Sequence, residues 1–141
     1  KEVLRQIPEE DFYKEIANLR KVCGDRAVMR AIHFYQENAR VLQQVAALKE
    51  GNFDKFLGLI KQSGYSSYMY LQNVIPAGYK QHQDVALALA MCEHYLQDKG
   101  AYRVHGGGFA GTIQAFVPND ILPTYKQKIE RIFYNIKEVF C

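Results

Sequence analysis

The sequence predicts an α+β fold, in which several helices pack on one face of a small antiparallel sheet. Two observations lead to this prediction. Apolar residues recur at helical spacing through most of the first hundred residues. The period then changes to alternation in two short runs, Ala101 to His105 and Thr112 to Val117, on either side of a glycine-rich segment. Because an isolated hairpin is only marginally stable in water, either helices bury this hairpin around 101–117 or further strands lie outside this chain.

Length and composition bound the class of protein. The chain has 141 residues, of which 48% are hydrophobic and 23% charged, and these values are typical of an ordinary globular chain. We therefore expect residues 1–141 to form a single domain. The net charge is only +3, and basic residues such as Lys61, Lys80 and Arg103 stand alone. A nucleic-acid-binding protein would carry a basic stripe, so we expect no nucleic-acid partner.

The sequence also argues against membrane insertion and secretion. No apolar run approaches the ~20 residues needed to cross a bilayer, and no signal peptide opens the chain. Cys23, Cys92 and Cys141 are odd in number and far apart, without the spacing of a zinc site or a disulfide framework. We therefore expect free thiols in a cytoplasmic protein.

Two helices are predicted before residue 52. Pro8 followed by acidic residues predicts a helix opening, and Gly24 predicts its end. Asp25 is then expected to cap a long helix that runs to Gly51. Its apolar face is predicted to comprise Val28, Ala31, Ile32, Tyr35, Ala39, Leu42 and Ala46. The residues expected to lie largely away from that face are Arg30, Glu37, Arg40 and Gln44.

The remaining helices follow from caps and periodicity. Asn52 is predicted to cap a helix that ends at Ser63-Gly64, with four inward residues: Phe53, Phe56, Leu57 and Ile60. A helical piece is expected over Tyr65 to Asn73. A further helix is expected to end at Lys99-Gly100, with an apolar face of Val85, Leu89, Cys92, Tyr95 and Leu96. The last helix is predicted to carry Tyr125, Ile129, Ile132, Phe133 and Ile136, and Val139 to Cys141 to begin a strand.

The glycine-rich segment contains the spacing G-x-G-x-x-G at Gly106, Gly108 and Gly111. A dinucleotide-binding turn requires a helix after the glycines, whereas here a strand pattern follows, and no Gly-Lys-Ser or Gly-Lys-Thr of a P-loop is present. One interpretation is a hairpin loop that needs positive φ or close backbone packing. The other is functional: small residues allow another loop or a phosphate to approach, and successive N–H groups can bind an anion.

Several segments together resemble the galactokinase family of the GHMP kinase superfamily. Tyr102 to Thr112 is similar to the third signature of that family, a short strand entering a Gly-Gly-Gly-Phe-Gly-Gly-like turn. Arg30 to Arg40, Ala47 to Ile60 and Ser63 to Ser67 resemble preceding family segments in the same order. The resemblance covers Val28 to Val117.

The departures from the family pattern are specific. Ala110 replaces a glycine, and Gly64 stands where a histidine is common. The sequence contains neither the sugar-binding Gly-Glu-His-Thr-Asp-like run nor the Pro-x-Gly-x-Gly-Leu-Ser-Ser-Ser-like phosphate loop. The resemblance therefore implies a ferredoxin-like GHMP kinase C-terminal domain, without the N-terminal domain that carries the ATP loop and the catalytic groups.

The family activity that this resemblance implies is transfer of the γ-phosphoryl group of ATP to the anomeric hydroxyl of galactose, with Mg²⁺, by the full-length protein. We expect the isolated chain to be inactive, with no catalytic residue and no metal ligand of its own. The site wall implied by the third motif is Gly106, Gly107, Gly108, Phe109, Ala110 and Gly111. The candidate accessory residues are His105, Ser63, Ser66 and Ser67. His33 is instead expected on a helix surface, because the histidines lack metal-ligand spacing.

Three alternatives stay open at the level of sequence. The full-length protein could phosphorylate another sugar, such as N-acetylgalactosamine. It could be a non-catalytic relative that senses sugar and nucleotide and binds a regulatory partner. The chain could also be a helical interaction module whose glycine turn is purely structural.

Overall fold

The structure is a computed structural model that describes residues 3–78, 80–109 and 111–133. The chain divides into two compact units, Lys1–Asn73 and Val74–Cys141. The described residues form six α-helices, two short helical turns of other types and a two-stranded antiparallel sheet. The helix-rich α+β class is confirmed, whereas the single domain expected for residues 1–141 stays a prediction.

The first unit is helical throughout its described part. A 3₁₀ turn at Leu4–Gln6 is followed by α1 (Glu9–Lys14), α2 (Ile16–Cys23), α3 (Asp25–Lys49) and α4 (Phe53–Ser66), and then by a π turn at Ser67–Leu71. Acidic residues fill the first turn of α1, where they face the positive end of the helix dipole. Gly24, with φ of +80°, separates α2 from α3, as the sequence predicts. The cap predicted at Asp25 is wrong, because Asp25 is the first residue of α3 and Gly24 occupies the cap position.

An aromatic cluster forms one core of this unit. Phe12, Val28 and Tyr35 are buried together, and the rings of Phe12 and Tyr35 lie 5.2 Å apart. The Tyr35 hydroxyl donates a hydrogen bond of 2.9 Å to the carbonyl of Ile7. This bond satisfies the polar end of a buried tyrosine, as such side chains require.

The hairpin of α3 and α4 differs from its prediction in where α4 ends. Asn52 caps α4 as predicted, since its side chain accepts a bond of 3.0 Å from the Lys55 N–H. The helix does not stop at Ser63-Gly64 but continues to Ser66. A glycine inside a helix costs only about 1 kcal/mol, and the packing of α4 on α3 outweighs that preference.

The apolar face predicted for α3 is wrong in its C-terminal half. Arg40, expected to point away from the core, is only 9% exposed, while Leu42, expected to point inward, is 73% exposed. Ala39 is exposed as well. Phe53, also expected inward at the start of α4, is 55% exposed. The reason is that α4 and the π turn pack against a polar side of α3, which is described below.

The second unit contains the sheet. It consists of α5 (Asp84–Leu96), β1 (Ala101–Val104), β2 (Ile113–Phe116) and α6 (Leu122–Ile132). The strands pair antiparallel, with Ala101 opposite Phe116 and Val104 opposite Ile113. Both predicted strands and the predicted inner face of α5 are confirmed. The buried core of this unit is Val74, Val85, Leu89, Cys92, Leu96, Tyr102 and Val104.

The end of α5 lies earlier than predicted. The helix stops at Leu96, and Gln97 follows with φ of +48°. Gly100 is buried at the entry to β1, where an added Cβ would lie 2.4 Å from the carbonyl oxygen of Phe116. This glycine therefore permits close approach of two backbones and does not serve as the helix cap. The predictions for Ala110, for Ile136 and for a strand from Val139 to Cys141 fall outside the described residues.

Candidate functional site

The glycine-rich segment is the loop of the β1–β2 hairpin. It begins after Val104 and ends before Ile113. The His105 N–H donates a bond of 3.1 Å to the Thr112 carbonyl, which closes the base of the loop. Gly106 and Gly107 are exposed and Gly108 is half-buried. The loop thus presents backbone to solvent, and no helix begins directly after it, so a dinucleotide-binding turn is excluded by geometry as well as by sequence.

Three of the loop glycines are explained by backbone conformation. Gly106, Gly108 and Gly111 have φ of +65°, +75° and +80°. Residues other than glycine adopt such positive φ values only at a cost in free energy. Phe109 also has positive φ, +57°, although it carries a side chain, and the residue is 45% exposed. Left-handed backbone at a residue with a Cβ costs roughly 1–2 kcal/mol. The turn therefore holds an aromatic side chain outward at some expense in stability.

Gly107 is different from its neighbours. It is absent from the residues with positive φ, so its backbone conformation does not require a glycine. A Cβ added at Gly107 would meet nothing within 4 Å among the described parts of the chain. Neither conformation nor packing within the described residues explains why this position carries no side chain.

The candidate accessory residues occupy different environments. His105 is exposed at the base of the glycine loop. Ser63, Ser66 and Ser67 are almost fully buried in the first unit, with exposures of 0%, 4% and 1%. These serines belong to the end of α4 and the start of the π turn, which pack on α3, and they do not lie on an open surface of their unit.

Sequence reasoning missed a buried polar cluster around these serines. The Ser63 hydroxyl donates a bond of 2.5 Å to Glu37, whose carboxylate also pairs with the Arg40 guanidinium. His33 Nδ1 lies 2.9 Å from Ser66 Oγ. His33 is half-buried, so the surface position expected for it is wrong. The sequence feature that could have indicated the cluster is the spacing of His33, Glu37 and Arg40 at i, i+4 and i+7, which places them on one helix face.

The cluster has the elements of a serine–histidine pair but not the accessibility of an active site. A serine nucleophile has to reach a substrate, and Ser66 is 4% exposed. Its neighbours Glu37 and Arg40 pair with each other. The arrangement supports helix packing and does not form an open site for chemistry.

Outside the glycine turn, the junction of α2 and α3 is a second candidate location for chemistry. An open depression of about 420 Å³ lies at the α2–α3 junction, lined by Arg20, Lys21, Gly24 and Asp25. Its Arg20 and Asp25 already pair at 2.9 Å, and this hydrogen bond raises the pKa of Arg20.

Within residues 3–78, 80–109 and 111–133, no group of three or more His, Cys, Asp or Glu could hold a metal ion. No described helix is both long and apolar enough to cross a bilayer.

No protein-family model matches the sequence. The candidate site is therefore defined by the chain's own geometry: an exposed glycine turn on a two-stranded hairpin, with one glycine that the fold around it does not require.

Proposed function

We propose that this chain is the C-terminal domain of a galactokinase-like sugar kinase, of the ferredoxin-like type found in GHMP kinases. The full-length protein would use ATP to phosphorylate galactose at its anomeric hydroxyl. The ordered resemblance from Val28 to Val117 supports this proposal. The observation that carries it is Gly107, an exposed turn position without positive φ at which an added Cβ would meet nothing within 4 Å. This open space would admit a partner loop or a phosphate.

The glycine turn acts as a wall of the site in this proposal. Phosphoryl transfer depends on positioning and on stabilising negative charge, with little covalent chemistry for the protein to perform. A turn of small residues suits both tasks, because a phosphate or a neighbouring loop can approach the backbone of Gly106 and Gly107, which are exposed, without interposed side chains. The proposal assigns no Mg²⁺ ligand to the described residues, since they contain no suitable cluster.

The test is a graded enlargement of Gly107 in the full-length protein. Gly107→Ala is expected to lower kcat/KM for galactose by about tenfold, and Gly107→Val by more, because small displacements of reacting groups are costly. Thermal stability should stay near that of the unmodified protein, since an added Cβ at Gly107 meets nothing within 4 Å in the described chain.

Gly58→Ala is the matched control, because it also adds a Cβ into open space, but on α4. It should leave kcat/KM unchanged. Wild-type kcat/KM in both Gly107 variants would contradict the assigned role of the turn.

A sugar panel assayed with the full-length protein separates the proposed activity from its alternatives. ATP turnover with galactose would support the proposed galactokinase activity. Turnover only with N-acetylgalactosamine would identify that sugar as the substrate instead. Binding of sugar and nucleotide without turnover would identify a sensor. The 141-residue chain assayed alone should show no galactose-dependent ATP turnover.

A further inference from the structure

Helix α3 carries two different faces along its C-terminal part. His33, Glu37, Arg40 and Gln44 lie at i, i+4, i+7 and i+11 and form what we term the polar seam. Val41, Val45 and Leu48 lie at i, i+4 and i+7 and form the apolar stripe. α4 and the π turn pack against α3, and the bonds from Ser63 and Ser66 show that they meet it at the polar seam.

The burial of these two faces is the reverse of what hydrophobicity favours. Arg40 of the polar seam is 9% exposed, while Val41, Val45 and Leu48 of the apolar stripe are 47%, 45% and 53% exposed. Removing apolar surface from water is the main favourable contribution to packing, and burying charged groups opposes it. The buried Gln44 Nε2 also lacks a hydrogen-bond acceptor among the described residues. Ala47 of α3 and Leu59 and Ile60 of α4 are buried as well, so apolar burial contributes to the packing but does not by itself explain why Arg40 is covered and Val41 is not.

Directional bonds provide the selection that apolar contact lacks. Glu37 accepts a hydrogen bond of 2.5 Å from the Ser63 hydroxyl, and His33 Nδ1 lies 2.9 Å from Ser66 Oγ. Glu37 is one turn after His33 on α3, whereas Ser63 is one turn before Ser66 on α4, so the two bonds match across antiparallel helices. A shift of α4 by one residue along α3 would break both hydrogen bonds. The half-buried carboxylate of Glu37 would then lose the hydrogen bond that Ser63 donates, which is unfavourable.

We propose that the polar seam determines which face of α3 receives α4 and the π turn, and in which register, so that the apolar stripe stays uncovered by them. The π turn begins at Ser67, immediately after the serine bonded to His33. That bond fixes the point at which α-helix passes into π-helix. Buried polar groups that specify one packing at a cost in stability are known from other helical assemblies.

The proposal is tested by replacing two seam residues, and the serine bonded to Glu37, with apolar side chains of similar size. The variant combines Glu37→Leu, Arg40→Met and Ser63→Ala, and amide hydrogen exchange is followed by mass spectrometry. Amides of residues 67–72 are expected to exchange about tenfold faster, because alternative registers open the π turn locally. Exchange in α1 and α2 should not change, and the helical circular dichroism should be retained.

The control variant changes the other face of the same helix, with Val41→Ala, Val45→Ala and Leu48→Ala. It should leave exchange of residues 67–72 within about twofold of the unmodified protein, because these side chains are already exposed. If the seam variant folds and residues 67–72 keep their protection, apolar packing selects the register and the proposal is wrong.

A milder variant covers the case in which the seam variant does not fold. Ser66→Ala removes only the hydroxyl that meets His33. It is expected to accelerate exchange of residues 67–72 about threefold or more, without affecting α1 and α2. Unchanged exchange in Ser66→Ala would equally overturn the proposal.

Discussion

At the scale of single residues, Cys92 shows how burial controls a reactive group. Its side chain is 0% exposed, and its Sγ lies 3.0 Å from the Tyr125 hydroxyl. Burial raises the pKa of the Cys92 thiol, and the hydrogen bond with Tyr125 opposes that rise without cancelling it. Because the thiolate is the nucleophile, Cys92 is a core residue of low reactivity, whereas Cys23 is exposed.

The raised pKa predicts how stability depends on pH. In the unfolded chain the thiol loses its proton near its ordinary pKa of 9.0, while in the folded protein it keeps the proton to higher pH. The folded state then binds more protons than the unfolded state, so the free energy of unfolding must fall as pH rises above about 9. Cys92→Ala should flatten this fall, which urea denaturation at a series of pH values would measure. Equal slopes in the variant and the unmodified protein would show that Cys92 does not contribute.

At the scale of elements, Gly100 governs the junction between α5 and the hairpin. A Cβ there would lie 2.4 Å from the Phe116 carbonyl oxygen, and Phe116 pairs with Ala101 at the start of β1. Gly100→Ala is therefore expected to lower the free energy of unfolding by about 1–3 kcal/mol, because backbone atoms have to shift. Chemical denaturation checks this value.

Gly58→Ala gives the opposite sign and serves as the comparison for Gly100→Ala. It adds its methyl group into open space on α4, where alanine is favoured over glycine by up to about 1 kcal/mol. A Gly100→Ala variant as stable as Gly58→Ala would mean that the β1–β2 junction accommodates a side chain.

The elements also show what sequence can and cannot predict. The hairpin and the inner face of α5 were predicted because alternation, glycines and a continuous apolar face are local signals. The burial of Arg40 was missed because helical periodicity assigns charged residues to solvent. Its environment depends on Ser63, which is bonded to Glu37 from 26 residues further along the chain. The spacing of His33, Glu37 and Arg40 groups them on one helix face, but no local pattern specifies Ser63 as the partner of Glu37.

Some features of the candidate site could likewise be predicted from the sequence and others could not. The glycine turn and its hairpin could be located from composition and alternation alone. The distinction between Gly107 and the glycines of positive φ could not, because it depends on backbone angles. The accessory serines were predicted on a family pattern, and their burial follows only from the packing of α4 on α3.

At the scale of the whole molecule, the described chain forms two compact units with separate cores. The cluster of Phe12, Val28 and Tyr35 and the polar seam lie entirely within Lys1–Asn73. The cluster around Cys92 and Leu96 lies entirely within Val74–Cys141. The described members of each buried cluster therefore come from one unit, as expected where a segment has a hydrophobic core of its own.

This separation predicts that residues 1–73 fold when produced alone. Helical circular dichroism and a cooperative thermal transition are expected, although so short a chain buries a small fraction of its surface and will be marginal in stability. Phe12→Ala should abolish the transition, because loss of a buried phenylalanine costs about 3–5 kcal/mol. Leu42→Ala, at a position 73% exposed, should change it little. A gradual, non-cooperative melt of the unmodified segment would instead favour the single domain expected for residues 1–141.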